Sequence, residues 1–279
     1  MRCLALILLA ACHGAAATPA APRVASTSPA PAAARFGDAP PVMTPGERMT
    51  YRVQLQGLEL ASMTLGVGEV TELGGKRVVV VQGHAKSVGL ANMVAAVDDT
   101  FTSWIDPRTG RSQRFAVDEY RSNSKTDVEH TIADLAAHTA TSLPITFALN
   151  DAPPAPEPQT LAQPDPWDYN AFLIALRGWE APVGTRQVVE VLRSRWLWNI
   201  EVVVGGKETL HTDLGDLPAL RFDAVTFRLD RAGKRDPGSE QRTFSVWISD
   251  DAGRVPLLTA ARTDYGDIRI EIAEYTPGT

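Results

Sequence analysis

The chain has 279 residues, of which 44% are hydrophobic and 22% charged, and its formal net charge at neutral pH is −6. This composition is typical of a globular protein, and the length allows one large β domain or two smaller domains. No cluster of Lys and Arg provides the basic face that nucleic-acid binding needs, so DNA and RNA are not expected partners. The two cysteines are Cys3 and Cys12, so no disulfide framework and no cysteine-based metal or catalytic site is expected in the folded part.

The first twelve residues, MRCLALILLAAC, are typical of an export signal. A single arginine is followed by an apolar stretch and then by small residues. The run that ends at Cys12 also matches the lipobox of bacterial lipoproteins, in which the signal is cut just before a cysteine that receives lipid. We therefore expect an exported protein, anchored by lipid on Cys12 to the periplasmic face of a bacterial membrane. The alternative is an ordinary signal cut near Ala17, which would give a soluble periplasmic or secreted protein.

Residues 13–45 are rich in alanine and proline, with runs such as SPAPAAA. They lack the aromatic residues and the periodicity that burial in a core requires. We expect a disordered tether, for which about thirty residues at roughly 5–6 Å × √n span on the order of 30 Å. No later apolar run approaches the ~20 residues of a membrane-spanning helix.

Residues 46–276 are expected to form a single β-rich domain. Alternating apolar and polar residues dominate, as in ERMTYRVQL, where Tyr51 and Val53 share one face. Two glycine pairs, Gly74-Gly75 and Gly205-Gly206, lie between strand-like runs and are expected to form hairpin turns. Each predicted sheet has one apolar and one polar face, as antiparallel sheets commonly do.

Two segments are expected to be helical. One is the short apolar run VGLANMVAAV, and the other is DPWDYNAFLIALRG, which follows a Pro-rich loop near residues 150–166. In the second segment we expect Asp165 as the N-cap, Pro166 at the first helical position and Gly178 at the end. The predicted fold is mainly β: a single antiparallel curled sheet, barrel-like or a sandwich, with two short helices.

Two acidic pairs are candidates for chemistry, Asp98-Asp99 and Asp250-Asp251. The second pair lies in WISDDAGRVPL between two strand-like runs, where Asp and Gly are typical of a hairpin turn. The turn is the favoured interpretation, and the alternative is acid–base catalysis. Trp247 does not follow the alternation of its strand cleanly, so it is expected to face either a second layer or a cleft, where it is a candidate ligand contact. Neither an H-E-x-x-H nor a G-x-S-x-G motif occurs, so no metal, cofactor or hydrolase triad is expected.

Several segments resemble a family of exported bacterial proteins known as domain of unknown function 3108. The resemblance rests on GERMTYRVQLQGLELASMTL, VDDTFTSWIDPRTGRSQRF, DPWDYNAFLIALRG, GGKETLHTDLGDLPALRFDA and the closing VWISDDAGRVPLLTAARTDYGDIRIEI. It extends from about Gly46 to Tyr275, and the last segment is its most specific part. The resemblance implies an antiparallel β-rich domain in the cell envelope, and it implies no activity and no catalytic residue.

The expected function is binding without catalysis, by a cell-envelope lipoprotein. A curled sheet with an apolar interior is suited to a lipid or glycolipid, and its surface could serve as a docking site for an envelope partner. The alternative is an enzyme acting on envelope polysaccharide, which requires Asp98, Asp99, Asp250 and Asp251 in one cleft. A purely structural partner protein is a third option.

Overall fold

The computed structural model describes residues 35–94, 96–122, 126–263 and 265–279. The predicted signal (residues 1–12, including Cys12) and residues 13–34 of the predicted tether lie outside this range.

In the described residues, strands account for most of the regular structure. They are β1 (Arg48–Leu55), β2 (Leu58–Leu73), β3 (Lys76–Ser87), β4 (Asp98–Ile105), β5 (Ser112–Ser122), β6 (Thr126–Ala133), β7 (Ser142–Leu143), β8 (Ile145–Leu149), β9 (Ala155–Pro156), β10 (Gln159–Thr160), β11 (Trp167–Asp168), β12 (Arg186–Arg193), β13 (Trp196–Thr212), β14 (Gly215–Arg228), β15 (Arg242–Ser249), β16 (Pro256–Thr263) and β17 (Gly266–Thr276). A six-residue helix α1 (Gly89–Val94), a 3-10 turn (Leu135–Ala137) and a ten-residue helix α2 (Tyr169–Gly178) complete the set. The fold is mainly β, as predicted, but of the two predicted helices only α2 has substantial length.

Fifteen strands form one sheet in the order β11-β12-β13-β14-β15-β16-β17-β1-β2-β3-β4-β5-β6-β8-β9, and β7 pairs with β10 apart from it. Every pairing in the large sheet is antiparallel except that of β11 with β12. The sheet is not closed, because β11 and β9 are its edges. It curls strongly instead, which brings β11 close to β5.

This curl creates two apolar cores. Val191 of β12 and Trp198 of β13 belong to the larger core, together with α2 and the inner face of β1–β3. Their neighbours Leu192 and Leu197 belong to the smaller core, together with residues of β4, β5 and β8. Since adjacent residues of a strand point to opposite faces, the β12–β13 pair is buried on both faces here. The sheet is therefore rolled rather than simply curved.

Helix α2 lies inside the roll, and every residue from Asn170 to Arg177 is buried. Its N-cap is Asp168, whose carboxylate accepts a hydrogen bond from the backbone N–H of Ala171 at 2.9 Å. The prediction of Asp165 as the cap is wrong by three residues. The reason is that Trp167 and Asp168 first pair with β12 as strand β11, and the helix begins only after that pairing.

The two glycine pairs behave differently. Gly74 and Gly75 form the predicted hairpin turn between β2 and β3, and both have positive φ angles. Gly205 and Gly206 do not form a turn, because β13 continues through them and only its register with β14 shifts. A Cβ on Gly205 would lie 2.7 Å from the carbonyl oxygen of Arg221, so glycine is needed for the close approach of the two strands.

The packed region begins before residue 46. Phe36 is 5% exposed, and its ring lies 5.3 Å from that of Trp167 and 5.4 Å from that of Trp179. We refer to residues 35–45 as the N-terminal strap. The expectation that these residues belong to a disordered tether is wrong, because an isolated phenylalanine in an Ala/Pro-rich run gives no periodic signal.

Candidate functional site

The strands end at two poles that differ in character. We call the pole with the β1–β2 turn, Ser87 and Arg193 the mouth end, and the pole with Gly46, Arg111 and Asp251 the closed end. Helix α2 runs inside the roll from Tyr169, near the mouth end, to Gly178 at the closed end, because Tyr169 contacts Phe101 while Gly178 contacts the strap at Pro40.

An apolar pocket of about 70 Å³ opens at the mouth end. Inward-facing side chains of five strands line it, chiefly Val53, Ala61, Met63, Ala85, Phe101 and Ile270. Liquid water occupies about 30 Å³ per molecule, so the pocket admits the end of a chain or a small group rather than a whole lipid. The expected interior for a lipid is largely filled, because α2 occupies the space below the pocket.

Polar groups border this apolar pocket. Asp99 and Arg193 lie in its lining, and Tyr169 forms the side nearest the helix. Asp99 is 4% exposed and accepts a hydrogen bond from the backbone N–H of Tyr120 at 3.0 Å. Burial raises the pKa of the Tyr169 hydroxyl, and the nearby Arg193 guanidinium partly offsets that effect. The site is thus amphiphilic, with an apolar floor and charged groups at its edge.

Asp99 has a second carboxylate beside it, on the neighbouring strand and the same face of the sheet. Glu119 of β5 is directly opposite Asp99 of β4 in the register and is 3% exposed. Side chains at such positions have Cβ atoms about 4.5–5.5 Å apart. Glu119 accepts a hydrogen bond from the hydroxyl of Ser194, which belongs to the β12–β13 turn. This contact joins the β12–β13 turn to β5, beside the pocket. These strands lie near opposite edges of the open sheet.

The two members of the first predicted acidic pair have different environments. Asp98 points outward, where it lies 2.6 Å from Nε2 of His84 and 3.2 Å from Nζ of Lys86. The hydrogen bond with His84 is the main reason that the pKa of Asp98 is lowered. Only Asp99 is brought to the pocket, because successive residues of a strand alternate between faces.

The second pair, Asp250 and Asp251, lies at the closed end and forms the turn between β15 and β16. One carboxylate oxygen of Asp251 accepts hydrogen bonds from the backbone N–H groups of Gly253 and Arg254, at 2.9 and 3.1 Å. Asp250 pairs with Lys207 at 2.7 Å. The structure therefore does not gather Asp98, Asp99, Asp250 and Asp251 into one cleft, since the two pairs occupy opposite ends of the strands.

Trp247 lies on the outer face of the sheet, because its neighbours Val246 and Ile248 are buried inside. It is half-buried, and its indole N–H donates to a carboxylate oxygen of Glu208. The guanidinium of Arg221, on the adjacent strand, lies 5.5 Å from the ring centre. Trp247 is thus remote from the mouth pocket.

A buried ion pair fixes the closed end. Arg177, in the last turn of α2, and Glu47, just before β1, are 1% and 2% exposed and pair through two hydrogen bonds of 2.6 and 2.8 Å. Arg177 also donates to the carbonyl oxygens of Gly253 and Arg254. The hydroxyl of Tyr275 donates to Glu47 at 3.0 Å. This bidentate geometry satisfies both charges, as burial requires.

Arg254, in the β15–β16 turn, forms hydrogen bonds with the end of helix α2. Its guanidinium donates to the carbonyl oxygens of Arg177 and Trp179, at 2.8 and 3.1 Å. The last carbonyls of a helix have no partner within it, and a cation there also suits the helix dipole. Arg254 therefore caps the helix end and locks the β15–β16 turn against it.

The sequence-based search missed Glu119, Arg193 and Tyr169. The signal for Glu119 was present, because Phe115, Val117 and Glu119 alternate on one face of β5, which places the carboxylate with buried residues. Arg193 and Tyr169 gave no local signal, since they reach the pocket only because the sheet rolls and the helix enters it.

Among the residues that the structure describes, no three His, Cys, Asp or Glu side chains cluster as a metal ion would require. None of the helices in this described part has the length and apolar character needed to cross a membrane.

These features define a class: a rolled, mainly β domain with an amphiphilic pocket at one end and a buried ionic network at the other. Within that class, the chain belongs to the protein family of unknown function DUF3108, whose model matches residues 50–273. The comparison with curated proteins finds no match.

Three solved structures match this chain over most of its length. A β-barrel-like protein of the domain of unknown function DUF1849 from Brucella abortus is 10% identical, with a TM-score of 0.55, and the match covers 86% of this chain and all of that one. A protein from Bacteroides fragilis described as exported, with a YmcC-like fold, and one from Parabacteroides distasonis described as a lipoprotein are 8% and 9% identical, with the same coverage. Their TM-scores, 0.37 and 0.36, are too low to support an argument. The first match supports the barrel-like fold and nothing beyond it.

Proposed function

We propose that this chain is an exported bacterial lipoprotein that acts in the cell envelope by binding an amphiphilic ligand, a lipid or a lipid-linked glycan, without catalysis. The observation that carries the proposal is the mouth pocket, where apolar side chains from five strands meet the charged groups of Asp99 and Arg193. Ligand sites commonly combine an apolar lining with a few placed polar groups. The ligand's apolar end would enter the pocket, and its polar part would meet the charged edge.

The pocket's size constrains the mode of binding. At about 70 Å³ it accepts the last few carbons of an acyl chain, so the rest of the ligand lies across the mouth. Exposed Leu58, the first residue of β2 after the β1–β2 turn, extends the apolar surface in that direction. We propose a shallow, exchangeable complex rather than full enclosure, which suits a protein that passes a ligand on or docks on a partner that carries one.

The test uses a fluorescent fatty acid as probe. Ala85→Leu fills the pocket and is expected to weaken binding at least tenfold. Gln82→Leu is the matched control, because Gln82 is exposed on the outer face of the same strand, and it should bind as the wild type does. Equal affinity of the two variants, or no binding by the wild type, would contradict the proposal.

Anchoring at Cys12 has its own test. Replacing Cys12 by alanine is expected to release the protein from membranes in a fractionation experiment. Continued membrane association would show that another feature holds it there.

The alternative function, a carboxylate-dependent enzyme acting on envelope polysaccharide, finds one observation in its favour: the buried pair Asp99 and Glu119. These residues lie side by side on one sheet face, whereas glycosidase carboxylates flank a bond from two sides of a groove. We therefore propose binding, and expect the wild type not to hydrolyse polysaccharide and Asp99→Asn to change ligand affinity.

A further inference from the structure

The longest strand pair of the sheet, β13 with β14, extends well beyond its neighbours. The pairing runs regularly to Val204 opposite Phe222, shifts at Gly205-Gly206, and resumes with Lys207 opposite Leu220. A bulge of this kind bends a hairpin and increases its twist. We call residues 207–218, beyond the bulge, the distal hairpin.

The distal hairpin folds over the outer face of the sheet. Asp213, at its tip, forms an ion pair with Arg52, which points outward from β1. In the sheet, β15, β16 and β17 separate β14 from β1, a span of roughly 19 Å at ~4.8 Å per strand. The hairpin must therefore cross these three strands to make the contact.

The surface beneath the hairpin is apolar. Ala219 and Leu258 are on the outer face by strand alternation, yet they are 0% and 2% exposed. Trp247 lies between them in the cross-strand pattern, as the register partner of Leu258. Leu210 and Leu217, paired with each other in the hairpin, are half-buried. The hairpin thus covers a strip that consists of Ala219, Trp247 and Leu258.

A groove of about 520 Å³, with polar and apolar side chains in its lining, lies beside this strip and is not covered. One cross-strand row forms its floor: Asp223, Ser245, Ala260 and Arg269. Arg221 stands where groove and strip meet, with its guanidinium 5.5 Å from the ring centre of Trp247 and 2.8 Å from Asp223. Removing the hairpin would therefore join a flat aromatic ring to a row of hydrogen-bonding side chains.

The polar contacts that hold the hairpin down are at the surface. They are Arg52 with Asp213, Lys207 with Asp250, and the Trp247 indole with Glu208. The side chains of Asp213 and Lys207 are 57% and 69% exposed. Exposed ion pairs contribute little to stability and are screened by salt. Opening the hairpin would cost the apolar contacts of Leu210 and Leu217, which pack against the larger core, but most of that core lies on the inner face of the roll.

We propose that the distal hairpin is a lid, hinged at Gly205-Gly206, over a second binding site that takes a saccharide chain. When the lid opens, the ring of Trp247 offers an apolar platform for a sugar ring, since aromatic side chains combine a flat apolar face with a polar edge. Arg221, Asp223 and Ser245 then reach the sugar hydroxyls as donors and acceptors. This site lies on the outer face and does not depend on the mouth pocket.

The experiment locks the lid chemically. In the double variant Arg52→Cys, Asp213→Cys, a short bismaleimide joins hairpin and sheet, whereas N-ethylmaleimide modifies the same cysteines and leaves the lid free to open. Binding of chitotetraose, measured by calorimetry, is expected to be at least tenfold weaker in the crosslinked protein. Equal binding by the two forms would overturn the lid, and absence of binding to the open form would overturn the saccharide assignment.

Two further variants separate the site from general effects on folding. Trp247→Ala is expected to weaken binding of the sugar at least tenfold in the open form. Trp104→Ala is the matched control, because Trp104 is also a half-buried tryptophan, with the Arg114 guanidinium 5.6 Å from its ring, but lies on β4, which does not line the outer-face groove. If both variants, or neither, lose binding, Trp247 is not the platform.

Discussion

The two ends of the rolled sheet bury charged groups in different ways. At the closed end, Arg177 and Glu47 are enclosed by each other, by backbone carbonyls and by Tyr275, and both side chains are almost fully buried. At the mouth end, Asp99 and Arg193 border an apolar pocket that opens to solvent. The same sheet therefore has a fixed pole and an accessible pole, and we assign binding to the accessible one.

The comparison also explains what the most recognisable motifs do. Glu47, Arg177 and the turn at Gly253 and Arg254 come from three of the segments on which the family resemblance rests, and all meet at the closed end. Their shared role is to attach helix α2 to the sheet. These residues of the resembling segments therefore serve the fold, whereas other residues of the same segments, such as Met63, Asp99 and Tyr169, line the mouth pocket.

The largest expected effect is at the closed end. Arg177→Met leaves Glu47 buried without its partner, and breaking a buried ion pair typically costs about 3–5 kcal/mol. We expect a decrease of that size in the free energy of unfolding, measured with urea. Arg186→Met is the control, because Arg186 pairs with Glu201 at the surface, where the expected change is about 0–1 kcal/mol. Similar changes for both variants would remove the distinction between the poles.

A smaller effect is expected where α2 begins. Asp168 is fully buried, and burial raises its pKa from 3.8 to about 6, although hydrogen bonds from Ala171 and Ser103 oppose the shift. A raised pKa means that the folded state binds the proton more tightly than the unfolded state. The contribution of Asp168 to stability is therefore greatest below about pH 4 and is lost as the pH rises to about 6, by up to about 3 kcal/mol.

The variant Asp168→Asn isolates this contribution. Asparagine is an equally good N-cap and does not titrate. The difference in unfolding free energy between wild type and variant should change with pH mainly between about 4 and 6, in favour of the wild type at the acidic end. A difference that is independent of pH over this range would contradict the raised pKa.

Much of the fold follows from local pattern. The alternation of apolar and polar residues predicted strands, because each strand of a one-sheet domain has a core face and a solvent face. The pattern could not distinguish a turn from a bulge at Gly205-Gly206, since both use glycine and only the partner strand decides. It also could not show the rolling of the sheet, which buries β12 on both faces and brings Arg193 to the mouth.

The candidate site was less accessible to sequence reasoning. Adjacent carboxylates such as Asp98 and Asp99 attract attention in a sequence, yet adjacent strand residues point to opposite faces. The closer pair, Asp99 and Glu119, is twenty residues apart in the chain and is joined only by the register of β4 and β5. Cross-strand neighbours, rather than sequence neighbours, are the units in which a sheet builds a site.

The most direct test of the central claim is to map where an amphiphile contacts the protein. A photoreactive fatty acid is bound to the full chain and crosslinked by light, and the labelled residues are identified by mass spectrometry. We predict labels on residues of the mouth end, chiefly in 58–63 of β2, 84–87 of β3 and 98–101 of β4, and their loss in Ala85→Leu. Labelling concentrated at the closed end or on the outer face would contradict the assignment of binding to the mouth.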